Sequence, residues 1–79
     1  MTISDAVTAK MKKICAERKI TINKLSNISG ITQSTLENIV NGNSKNPKLL
    51  TILRICDGVG ITLKDFFSDP IFTKIDRGD

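Results

Sequence analysis

Residues 21–47 read TINKLSNISGITQSTLENIVNGNSKNP. Ile22, Leu25 and Ile28 recur at three-residue spacing, which puts them on one side of a helix over about 22–29. Thr21 stands where an N-cap belongs, and Gly30 follows as a residue free to take an unusual backbone conformation. Ser26 and Ser29 are small enough to let another helix approach closely. Ile31 and Thr32 then make a turn, and Thr32 can cap a second helix over about 33–41. At 100° per residue, Leu36, Ile39 and Val40 form one apolar stripe on that second helix. Ser34, Asn38 and Asn41 fall roughly opposite, Glu37 lies on the flank, and Gln33 projects from the start. Gly42 ends the helix, and a polar loop runs from Asn43 to Pro47. The stretch therefore predicts two short helices joined by a tight glycine turn, the second with amides and hydroxyls on its outer side.

Outward from this stretch the chain stays helical. Upstream, Val7, Met11, Ile14 and Cys15 recur at helical spacing over about 4–18, with Thr2 or Ser4 as the cap. Downstream, Leu49, Ile52, Leu53 and Cys56 predict the inner face of a helix from about Pro47 or Lys48 to Asp57, with Pro47 in its first turn. Gly58 and Gly60 read as breaks, with Val59 and Ile61 filling core between them. Thr62-Leu-Lys-Asp reads as a capping box that opens a last helix with Leu63, Phe66 and Phe67 on its apolar face. No segment alternates with period two, so the fold class is all-α. Residues 1–68 make one domain and 69–79 a C-terminal tail. Ile71, Phe72 and Ile75 in that tail either pack back on the domain or pair with a second subunit.

Composition bounds the function. A chain of 79 residues makes one domain that buries only about 60% of its unfolded surface. It has no His, which removes the commonest general base and the commonest metal ligand. The carboxylates are scattered and no glycine-rich phosphate cradle is present, so the chain is read as no enzyme and needs no cofactor. Cys15 and Cys56 lie 41 residues apart, outside any C-x-x-C pair, and read as small hydrophobes rather than as a metal site. The first residues lack a basic region followed by an apolar run, and no stretch is long enough for a membrane span, so a soluble cytoplasmic protein is expected. Residues 1–54 carry nine Lys or Arg against three acids, a net +6, whereas residues 55–79 carry a net −2. That asymmetry suits a domain that turns one face to a polyanion, although chance variation in surface charge gives the same sums.

The run Leu25-Ser26, Ser29-Gly30-Ile31-Thr32-Gln33-Ser34-Thr35-Leu36, Ile39, Asn41-Gly42 and Pro47 resembles the phage repressor and Cro helix-turn-helix family, also called XRE-type. Leu49 to Leu53 and Gly58-Val-Gly-Ile-Thr-Leu-Lys-Asp-Phe-Phe67 are similar to that family's last two helices, so the likeness spans about residues 7–67. It implies a compact five-helix bundle of lambda-repressor-like type whose third helix enters the major groove of double-stranded DNA. Gln33, Ser34 and Asn38 then take base-reading positions, with Thr32 and Thr35 beside them. Gln and Asn can pair bidentately with adenine, and Ser with several bases. Glu37 either accepts from cytosine or braces Gln33. Thr21 and Asn23, at a helix start, suit phosphate, and Asn41, Asn43 and Lys45 match the family's backbone-clamping positions. Lys10, Lys24 and Lys48 add long-range attraction. The family's first helix often carries an Arg paired with a Glu late in the third; Cys15 and Val40 stand there in this chain, which reads as apolar repacking. The implied role is a transcriptional regulator, a repressor of prophage or plasmid type bound to DNA as a homodimer. The alternative is an antitoxin or other protein-partner-binding module on the same fold, with the apolar tail as its grip.

Overall fold

The computed structural model describes residues 1–44 and 46–77. Among them are five α-helices, α1 (Ile3–Arg18), α2 (Ile22–Ser29), α3 (Gln33–Val40), α4 (Leu49–Val59) and α5 (Leu63–Phe67), followed by a 3-10 turn (Pro70–Thr73) and no strand. The all-α bundle read from periodicity is the observed architecture. Local chemistry places most of the ends. Thr2, not Ser4, caps α1 through a reciprocal box, its Oγ1 accepting from the Asp5 N–H at 3.2 Å while Asp5 Oδ2 accepts from the Thr2 N–H at 2.9 Å. Thr62 and Asp65 make the same box at α5, with distances of 3.1 and 3.0 Å. Each box satisfies two of the helix-start donors that have no intrahelical partner.

The core collects Val7, Met11 and Ile14 from α1, Leu25 from α2, Leu36 and Ile39 from α3, and Phe66 from α5 around four residues of α4. Those four are Ile52, Ile55, Cys56 and Val59, spaced i, i+3, i+4, i+7. This corrects the sequence-based face of α4 in two ways. Leu49 and Leu53 are 72% and 39% exposed, whereas Ile55 is fully buried. The helix also starts after Pro47, at Leu49, and runs through Gly58 to Val59 rather than stopping at Asp57. The reason is the packing of α4 on α2. A Cβ on Gly58 would lie 2.6 Å from Ser29 Oγ and 2.9 Å from the Ile28 carbonyl oxygen, so the glycine is a contact point between helices and not a break. Gly60, in the left-handed conformation at φ 75°, is what ends α4. Ser26 and Ser29 are both buried at this crossing, as their small size suggested.

Two further contacts fix the frame around α3. Thr8 Oγ1 donates to the Ile39 carbonyl at 2.7 Å and so ties α1 to the last turn of α3. Cys15 and Val40 lie half-buried against the core, an apolar filling at the positions where the family resemblance implied an ion pair. Residues 69–77 return to α1. Asp69 caps the 3-10 turn through the Ile71 N–H and takes Lys13 Nζ at 2.9 Å and Lys10 Nζ at 3.3 Å on its other oxygen. Phe72 joins Phe66 and Phe67, with ring centroids 5.8 and 5.0 Å away. Ile71, Phe72 and Ile75 are accordingly half-buried.

Candidate nucleic-acid interface

The α2–turn–α3 unit is built by hydroxyl caps and one left-handed glycine. Thr21 Oγ1 accepts from the Lys24 N–H at 3.0 Å and opens α2. Gly30, at φ 66°, turns the chain, and the Ile31 N–H returns to the Ser26 carbonyl at 3.1 Å. Thr32 Oγ1 accepts from the Thr35 N–H at 3.3 Å and opens α3. The far end of α3 closes on Gly42, at φ 76°, and the Asn38 carbonyl then accepts from the Asn43 and Ser44 N–H groups at 2.9 and 3.3 Å. Asn38 thus anchors the following loop through its backbone.

Leu36 and Ile39 are buried at 0% and 2% exposure, and they set the rotation of α3. Gln33, Ser34, Glu37, Asn38 and Asn41 are all exposed as a result. Gln33 Nε2 donates to Glu37 Oε1 at 2.9 Å, one helical turn on. An amide nitrogen carries two hydrogens. One goes to Glu37, and the other is left to donate. Of the two roles open to Glu37, bracing Gln33 is the one the free chain adopts. No Lys or Arg lies on α3, so the face it presents is made of neutral amides and hydroxyls plus this one carboxylate.

The remaining residues singled out by sequence divide by position. Thr21 and Asn23 are exposed at the start of α2. Thr32 and Thr35 are exposed with their hydroxyls 2.7 Å apart, and Asn43 is exposed just beyond α3. Lys45 lies outside the described residues. Lys10 is not a free surface cation: its side chain is 13% exposed and paired with Asp69, which Lys13 shares. The structure adds residues that no motif flagged. A groove of about 660 Å³ opens between α3 and α4, and Thr51 and Arg54 line it together with Thr32, Thr35, Asn38 and Lys48. Arg54 entered the sequence reading only through net charge, because its position beside α3 depends on how α4 crosses the domain.

A family model described as the Cro/C1-type HTH DNA-binding domain matches residues 10–70. The chain belongs to this family. No curated protein and no solved structure gives a significant match. As a Cro/C1-type domain the protein is a DNA-binding, helix-turn-helix regulator, and the family is not an enzymatic one. The match reaches from the middle of α1 to the start of the 3-10 turn and includes every described candidate residue. Among the described residues no helix is long and apolar enough to cross a membrane.

Proposed function

We propose that this Cro/C1-type domain reads duplex DNA sequence-specifically from the major groove, with Gln33, Ser34 and Asn38 of α3 as the base-contacting side chains. The observation that carries the reading is the exposure of those three groups on a helix anchored by Leu36 and Ile39, with Gln33 held by Glu37. Gln33 and Asn38 favour adenine, each bidentate contact giving about 1–3 kcal/mol of discrimination. Thr21, Asn23, Asn41, Asn43 and Lys45 hold the backbone on this reading, and Thr32 and Thr35 support the row from beside it. One short helix reads few base pairs, so two copies occupy two half-sites about one helical turn apart as a homodimer on DNA. Occupation of a promoter excludes polymerase, which makes the chain a repressor of prophage or plasmid type acting in the cytoplasm. The protein-partner or antitoxin reading rests on a free apolar tail. Ile71, Phe72 and Ile75 are half-buried, so DNA reading is preferred.

Selection of binding sites from random duplex DNA tests the proposal. An A·T-containing palindrome bound with strong salt dependence is the expected result. Recovery of no consensus, or binding indifferent to salt, overturns it.

A further inference from the structure

A helix with its side chains is about 10–12 Å across, and the major groove is about 12 Å wide. A helix lying in that groove therefore meets a phosphate strand on each flank. In the reading above the start of α2 serves one flank with Thr21 and Asn23, and Asn41 and Asn43 hold backbone at the far end of α3. Along the other flank Thr32, Thr35 and Asn38 follow each other at three-residue spacing and form one wall of the groove between α3 and α4. Lys48, Thr51 and Arg54 stand on the opposite wall. Among the described residues no Asp or Glu lines this groove. Among the described residues neither Lys48 nor Arg54 takes part in an ion pair, and both are exposed. Asn38 belongs at once to the outward row and to the groove wall, so the groove opens beside the surface that faces the bases.

We propose that this groove is a second backbone site, in which Arg54 of α4 and Lys48 at its N-cap hold the phosphodiester strand flanking α3, with the Thr51 hydroxyl and one hydroxyl of the hydrogen-bonded Thr32–Thr35 pair as neutral donors. The site rests on the DNA reading above and supplies the cations that α3 itself lacks. Arg54 presents a planar set of donors that can take two phosphate oxygens at once, whereas Lys48 acts as a point charge. Because both contact backbone and not bases, they set grip and register without choosing sequence.

The test is anisotropy titration of labelled duplex between about 50 and 200 mM salt, with a selected site and a scrambled one. Arg54→Gln removes one phosphate contact from an exposed position. It is expected to lower the slope of log affinity against log salt by about 0.9, and to weaken binding about eightfold at 0.1 M salt, equally on both duplexes. Lys48→Gln is expected to act in the same direction. Lys74→Gln, the same charge change outside the groove, is expected to leave the slope unaltered. An unchanged slope in Arg54→Gln overturns the proposal, as does an equal loss in Lys74→Gln or a loss confined to the selected site. A wild-type chain without salt-dependent binding sinks the DNA reading itself and this site with it.

Discussion

The pair Gln33–Glu37 separates two effects of one carboxylate. Glu37 holds the Gln33 amide, and on the proposed reading its charge is repelled by the phosphates beside that amide. Glu37→Gln keeps an acceptor for Gln33 Nε2 and removes the charge. Tighter binding to all duplexes with unaltered preference is the expected outcome, read by competition titration. Glu37→Ala frees the Gln33 side chain and should relax preference at one base pair, by less than the roughly 1–3 kcal/mol lost in Gln33→Ala. Asp69 is the second informative residue. Lys13, the Ile71 N–H and Lys10 hold its carboxyl well below the usual carboxylate range, and Asp69 in turn raises Lys13. A depressed carboxyl contributes stability above about pH 4, its unfolded value, and loses it as pH falls further. A raised lysine contributes below about pH 10 and loses it as pH rises. Protection of amides 71–77 from hydrogen exchange should therefore hold across the neutral range, fall in acid, and be lost at all pH values in Asp69→Asn.

At the scale of elements, the crossing of α2 and α4 is the tightest joint. A methyl on Gly58 meets Ser29 Oγ, but also backbone atoms at 2.9 and 3.0 Å that cannot step aside. Gly58→Ala should cost about 1–3 kcal/mol as an overpacked contact. For a domain of this size each kcal/mol lowers the melting temperature by about 4–8 °C, measurable by circular dichroism. Ser29 Oγ is buried without a hydrogen-bond partner among the described residues, so Ser29→Ala should be neutral or stabilising. Combined with Gly58→Ala it should restore only part of the loss, because the Ile28 carbonyl remains. This joint also marks where sequence reading stopped. The helix-turn-helix was legible because its determinants are local: Thr21, Gly30, Thr32 and Gly42 act within a few residues of themselves. Gly58 was misread because its reason lies 29 positions upstream, at Ser29. Leu49 and Leu53 were assigned inward, and Ile55 was overlooked, because a helix this apolar has no single stripe until a neighbour sets its rotation. Arg54 escaped notice for the same cause, since only the crossing brings it beside Asn38.

For the whole molecule, the charge asymmetry of the sequence resolves into places. Part of the basic front is consumed internally, where Lys10 and Lys13 fasten the C-terminal residues through Asp69. Lys48 and Arg54 stand beside α3 instead. On a duplex with two half-sites about one turn apart, two chains should bind and sediment with the DNA, whereas a single half-site should carry one chain more weakly. Equal affinity for both duplexes would count against paired occupancy. The absence of Lys and Arg from α3 has a consequence of its own. On the proposed reading, attraction to nucleic acid is supplied by the scaffold, and the three protruding groups of α3 only spell the target. If that division holds, such regulators can diverge by exchanging those few letters while their grip on the double helix stays unaltered, and siblings sharing one cell can keep off each other's binding sites.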